Sequence, residues 1–471
     1  MSRNKNPLTP GTKTENLCLD TTFCTITQYF PSLTKYFSEV DDYRQKGKIV
    51  YSPQLILYLS LLERLMGVKS NNQFETLLRN SSEIENNMAT LLNEEVSELP
   101  SIDTMTYFLQ LFNPEEVKKI QRKMFVDLER KKIISKLKTT DGCLLLAIDG
   151  VKVFSTEREI EHSTYCVYEN GTKKFFQYFL EAKIVSADGL VISLGTECIE
   201  NPTTKFDKQD CERKAAVRLL ERISKEHPHL KFYILGDALY CNSNLMDLCK
   251  KKNWGYGFTF KGDTQYTKML EEIKLEFNNN QQDNTVSYLL EKTDNTEKLL
   301  ELSWCNFEYD LGGKGERDLH YLEGKIYEIT NGVKKLINTF SYLIDEEITL
   351  SNAYRKFKEC RLRWKIENEG FNFQKNNILH IGHSFSAVGN AGQNYYLLAQ
   401  IAHLISQLSY VANIAGNVRR ATDEVDDDLS QTLKEIFHSF IAVAEQIKTG
   451  LLKAIFKPPI LPPLRIRLKF A

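Results

Sequence analysis

Two short apolar runs limit what this chain can fold into more than any other feature of it. Cys143–Asp149 (CLLLAID) and Lys231–Leu235 (KFYIL) are too short for ordinary helices and lack polar alternation. Runs of this kind suit buried strands. Between them, Phe175–Val185 and Leu190–Ile199 read as two more strands, joined by the turn Ser186-Ala187-Asp188-Gly189. Phe206–Glu226 has helical spacing, and Tyr256–Phe260 predicts a fifth strand after Lys231–Leu235.

Three strands with a hairpin, a helix, then strand, short helix and strand form an order that resembles the ribonuclease H-like fold. At 471 residues the chain is long enough for several compact units around such a core. Residues 1–138 read as a helical region, with Leu55, Leu59, Leu62 and Leu65 at helical spacing and Ser70 placed to cap a following helix. Residues 139–261 are the first part of the core. Residues 262–350 read as an inserted β domain, with runs at Leu299–Tyr309 and Lys325–Ile344 and an Asn331-Gly332 hairpin turn. Residues 351–415 return to the core with one long helix over Ser351–Gln374. Residues 416–471 are helical and end in a tail holding Lys457, Arg465, Arg467 and Lys469 among prolines.

The net charge of −1 announces no nucleic-acid partner, so any DNA contact must come from local patches. Lys118, Lys119, Arg122, Lys123, Arg130, Lys131, Lys132, Lys136 and Lys138 form one dense basic run after Pro114. It reads as a solvated helix face or as a DNA contact. The polar N-terminus holds no apolar stretch of signal-peptide type, and the expected location is cytoplasmic, on the nucleoid. Tyr395–Ile414 is apolar enough to suggest a membrane span. However, Gln400, His403 and Gln407 fall along one helical stripe, which fits a globular core and no membrane. The ten cysteines show no zinc spacing and read as reduced thiols, and His380 with His383 lacks partners for a metal site.

The chemistry points to two acids beside the buried strands. Asp149 ends the first run and Asp237 follows the second. Either alone also reads as a cap for the next turn. Together, at the ends of neighbouring strands, they suit Mg²⁺, a hard cation that prefers carboxylate oxygen. A third carboxylate is expected from the Ser351–Gln374 helix. At about 100° per residue, Cys360, Arg363, Glu367 and Gln374 share a stripe there, while Glu369 points to the far side.

The segment CRLRWKIENEGFNFQKNN, beginning at Cys360, resembles the Tyr-Arg-Glu-Lys signature of bacterial insertion-sequence transposases of the DDE class. AIDG (147–150), ENPTTKFDKQDCE (200–212), LGDALYCN (235–242) and NYYLLAQIAHLISQL (394–408) resemble the same family's other blocks, in family order. The resemblance implies a ribonuclease H-like core interrupted by a β insertion before the Glu. It also implies a catalytic, metal-binding trio of Asp149, Asp237 and Glu367 holding two Mg²⁺ ions, with Mn²⁺ as substitute. The implied reaction is cleavage and transfer of strands at the inverted-repeat ends of an insertion sequence, and their insertion into target DNA. The working form would be a homodimer on double-stranded DNA. Two positions depart from the signature: Cys360 stands at its Tyr, and its Lys comes one residue late, at Lys375.

Arg363 and Lys375 are the implied phosphate contacts, although Lys375 lies about 80° off an α-helical stripe from Glu367. Lys261 reads as a further phosphate contact or a solvated surface lysine. Trp304 is the insertion aromatic available to stack on a flipped base, or else part of a β core. Two other readings use the same residues: a ribonuclease H-like nuclease or resolvase that never joins strands, and a decayed or domesticated derivative kept for DNA binding.

Overall fold

The computed structural model describes residues 13–81, 83–200, 208–261, 266–279, 284–293, 295–311, 315–409 and 439–453. The tail lysines and arginines, and most of the segment after residue 409, lie outside them.

Before the first strand come α1 (Lys13–Tyr29), α2 (Leu33–Ser38), α3 (Pro53–Leu65), α4 (Asn71–Arg79), α5 (Ile84–Leu92), α6 (Ile102–Leu111) and α7 (Pro114–Arg130). Their starts follow local chemistry. Ser52, Ser70, Ser101 and Asn113 each accept a hydrogen bond from the first turn of the helix they precede, and Pro53 and Pro114 sit where a missing N–H costs nothing.

The strands are β1 (Leu144–Thr156), β2 (Thr164–Val167), β3 (Lys173–Val185), β4 (Val191–Cys198), β5 (Phe232–Gly236), β6 (Gly255–Thr259), β7 (Thr285–Lys292), β8 (Thr296–Tyr309), β9 (Arg317–Thr330) and β10 (Val333–Ile344). They form one mixed sheet in the order β2-β3-β1-β5-β6-β10-β9-β8-β7, with β4 also paired to β3. β1–β5 and β5–β6 are parallel, and the other pairings are antiparallel. The helices α8 (Lys208–Glu226) and α9 (Ser243–Lys251) make the two crossovers that parallel pairing requires. α10 (Thr267–Asn279) then leads into the β-rich stretch.

That stretch is not set apart from the core. Tyr342, Leu343 and Ile344 of β10 pair with Thr259, Phe258 and Gly257 of β6, so the long β8–β9–β10 hairpins extend the central sheet. The turn at Asn331-Gly332 has positive φ at both residues, 51° and 79°, which matches the twist of the strands it joins.

After β10 come α11 (Ala353–Arg361), a π-helical turn over Ile366–Asn372, α12 (Phe373–Asn376), α13 (Ala391–Gln407) and α14 (Phe440–Lys453). α13 is buried almost throughout, touching α3, α6 and α7 on one side and β4 on another. Its polar stripe is interior: Gln400 and His403 bond to Gln374, and Gln407 bonds to both polar groups of the Val191 backbone. Among the described residues no helix is long and apolar enough to cross a membrane. One continuous apolar core joins the N-terminal helices to the sheet, so residues up to 138 are packed into the whole and not appended to it.

Two expectations need correcting. β1 does not end at Asp149 but runs on to Thr156; what ends there is its parallel pairing with β5, last seen at Ala147–Leu235. The helix expected over Ser351–Gln374 is broken. Bonds from Leu362, Arg363, Lys365 and Ile366 reach back three residues, and the backbone then widens into the π turn.

Candidate active site

Sheet register brings the two aspartates together. The β1–β5 register runs to Ala147–Leu235, and Asp149 and Asp237 each lie two residues beyond that last pair, near enough for the Asp237 charge to act on Asp149. Each carboxylate uses Oδ1 locally: Asp149 accepts from its neighbour Gly150 N at 2.8 Å, and Asp237 caps the following turn through Leu239 N at 2.8 Å. Capping is therefore real at Asp237, which is not among the residues lining the cleft that holds Asp149, although its charge acts on Asp149.

Glu367 approaches from the π turn. An open cleft of about 310 Å³ is lined by Asp149, Lys152, Tyr178, Glu367, Asn372 and Lys375, among others. Glu367 Oε1 accepts from Arg363 Nη1 at 2.7 Å, and Arg363 is itself buried. Burial pushes the Asp149 carboxyl up to about 7. The Asp237 and Glu367 charges add to the rise, and Arg363 and the Gly150 N–H oppose it. Three acids thus act on one point with one guanidinium to balance them, a charge arrangement that a divalent cation would relieve. The oxygen-only donor set fits Mg²⁺. Among the described residues no three His, Cys, Asp or Glu side chains are gathered around a common ion as they stand, Glu367 being held by Arg363.

The π turn accounts for the late lysine. Along a regular α-helix, eight residues from Glu367 to Lys375 leave the lysine about 80° off the stripe. Five of those steps lie in the π turn, at about 82° each, which returns Lys375 to within roughly 10° of Glu367. Lys375 indeed lines the cleft with Glu367 and Asp149. Desolvation by the cleft wall lowers its pKa, and Asp149 pulls the other way. Gln374, at the signature's Lys position, is fully buried instead, bonded to Gln400 and His403 of α13. Glu369 faces a different cavity, beside Gly189 and Asn376, and pairs with Lys365 at 2.8 Å.

Other expected contacts lie elsewhere. Trp304 is only 3% exposed and belongs to the inward stripe Leu300-Leu302-Trp304 of β8, so its ring is part of the β core and presents no face to a base. This corrects the stacking role. Lys261 is exposed just beyond β6 and does not line the cleft. Cys360, on α11, is buried against Gly257 of β6 and Tyr233 of β5, where the bulk of a tyrosine would not fit. The basic run on α7 is largely neutralised. Lys118, Lys119, Arg122, Lys123 and Arg130 pair with Glu115, Glu116, Glu226, Glu39 and Asp127 respectively.

Sequence reasoning missed Tyr178 and Lys152, which are cross-strand partners beside the cleft. Their only sequence signal was a strand continuing beyond Asp149. It also missed Trp364, 43% exposed, with the Arg363 and Arg361 guanidinium groups 5.4 and 6.0 Å from its ring.

The chain matches no known protein-family profile and no curated protein.

Proposed function

We propose that the chain is a DDE-type transposase that cuts and joins DNA strands at the ends of an insertion sequence. The observation that carries this reading is the meeting of Asp149, Glu367 and Lys375 in one cleft, with the Asp237 charge acting on Asp149 from just beyond the end of β5. The strand order β4-β3-β1-β5-β6, three antiparallel strands followed by two parallel ones, supports a ribonuclease H-like core. β7–β10 supply the insertion between β6 and the Glu-bearing turn.

Asp149, Asp237 and Glu367 would hold Mg²⁺. Two such ions, if bound there, would supply activation of the attacking oxygen and stabilisation of the leaving one in an in-line displacement. The residues around them have separate tasks. Lys375 offers a single mobile positive charge to a phosphate on the Glu367 side of the cleft. Arg363 neutralises Glu367 and is the second cation proposed to meet a strand phosphate. Asp149, with its raised pKa, surrenders its proton readily near neutral pH once positive charge arrives. The DNA partners are the element's inverted-repeat ends and a target duplex, bridged by a homodimer.

Incubating the full chain with duplexes carrying the terminal repeats that flank its gene, a target plasmid and Mg²⁺ tests this. Nicks leaving 3′-hydroxyl ends, followed by joining of those ends to the plasmid, are expected. Cleavage without joining would favour the nuclease reading, and binding without cleavage would favour a domesticated DNA-binding protein.

A further inference from the structure

We propose that Glu212 is a positioning residue that fixes the spacing of Asp149 and Asp237 through the hydroxyls of Tyr178 and Tyr240. The inference rests on reading those aspartates as metal carboxylates. Glu212 lies in the first turns of α8 and is 3% exposed. Its Oε1 accepts from Tyr240 Oη at 2.7 Å, and its Oε2 accepts from Tyr178 Oη.

Each tyrosine belongs to the surroundings of one aspartate. Tyr240 is fully buried on the short turn that Asp237 caps. The next residue of α8, Arg213, donates from Nε to Leu239 O on that same turn at 3.2 Å. Tyr178 lines the cleft with Asp149. The backbone after Asp149 also rests directly on this pair. A Cβ built on Gly150 would overlap the Tyr178 hydroxyl and lie 3.1 Å from Glu212 Oε1. Gly150 is thus glycine because the network passes where a side chain would be.

One buried carboxylate therefore touches the residue after Asp149 and the turn after Asp237. The parallel pairing of β1 and β5 has already ended at that level, so the ladder no longer sets the distance between the acids. Both phenols are held protonated, by burial and by the negative charges of Glu212, Asp149 and Asp237. Their protons are committed to Glu212. A charged acceptor makes these hydrogen bonds stronger and more directional than a neutral one would, which is what bracing two ligand loops requires.

Mn²⁺ binding to the full chain, measured by calorimetry without DNA, tests the proposal alongside the Mg²⁺ concentration for half-maximal nicking. Glu212→Gln keeps the size and removes the charge. It should weaken Mn²⁺ binding by about 10- to 100-fold and raise the Mg²⁺ requirement in parallel, with end binding unchanged. Unchanged ion affinity in a folded Glu212→Gln protein overturns the proposal. If that variant does not fold, Tyr178→Phe and Tyr240→Phe each remove one link. Each should weaken ion binding, and wild-type affinity in both overturns the proposal equally. Asp149→Asn separates the two levels: if it binds Mn²⁺ as wild type does, the metal reading of the aspartates falls, and this inference falls with it.

Discussion

Replacing Asp149 by Asn should make the protein more stable near neutral pH while abolishing strand cleavage. Burial, helped by the Asp237 and Glu367 charges, moves the Asp149 carboxyl from 3.8 to about 7. A carboxyl whose pKa is higher in the folded state holds its proton more tightly when folded. Its contribution to stability is complete below 3.8 and is lost as pH rises to about 7. Above that, the folded protein bears the full cost of an ionised Asp149. At about 1.36 kcal/mol per pH unit, the interval corresponds to roughly 4 kcal/mol. The carboxylate opens onto the cleft and is partly screened, which leaves about 2 kcal/mol. Asn keeps the shape without the charge. Thermal unfolding of both proteins at about pH 5.5 and about pH 8 should show a stability gap in favour of Asp149→Asn that widens at the higher pH. Millimolar Mg²⁺ should raise the wild-type melting temperature and narrow that gap. A variant no more stable than wild type at the higher pH, or a gap indifferent to pH, would refute the reasoning.

The remaining expectations concern neighbouring residues. Glu367→Gln should bind ends but lose nicking by orders of magnitude, whereas Glu369→Gln, which loses only its pair with Lys365, should retain most activity; the reverse pattern in a Mg²⁺ nicking assay would reassign the acid. Exchanging Gln374 and Lys375 should both remove the cleft lysine and bury a charge among Gln400 and His403. Chemical denaturation should therefore show a loss of several kcal/mol together with lost cleavage, and normal stability would contradict the π-turn register. Trp304→Ala should lower stability by about 3–5 kcal/mol and slow every step alike, since the ring is core; a defect confined to one strand-processing step would restore its stacking role. Lys118→Ala with Lys119→Ala should leave the salt dependence of end binding nearly unchanged, because both lysines already face glutamates; a clearly shallower salt slope would show that they reach phosphate.

The core strands were legible because burial on both faces leaves a plain signature. CLLLAID and KFYIL became β1 and β5, paired in parallel up to Ala147 and Leu235. Asn331-Gly332 and the Ser70 cap were equally readable, since each depends on a few adjacent residues. Three features were not. The continuation of β1 past Asp149 alternates exposed and buried residues in a pattern set by β3, which lies far along the chain. The junction of β10 with β6 is a long-range pairing of only three residues. The π turn was hidden because periodicity analysis presumes a constant angle per residue, and Ile366–Asn372 departs from it. Trp304 stays open between two readings in the sequence for a related reason: β8 gives its position but not which face of the sheet the extended hairpins cover.

The π turn also bears on how such a site tolerates change in length. Gaining one residue inside a regular helix rotates everything beyond it by about 100°, which would turn a distant lysine away from its acid for good. A single widened turn offsets such a rotation, and here Glu367 and Lys375, eight residues apart across the π turn, both line one cleft. An insertion of one residue accompanied by a π turn can therefore leave two side chains on the same face. Signatures of this kind are better compared by where side chains arrive than by how many letters separate them.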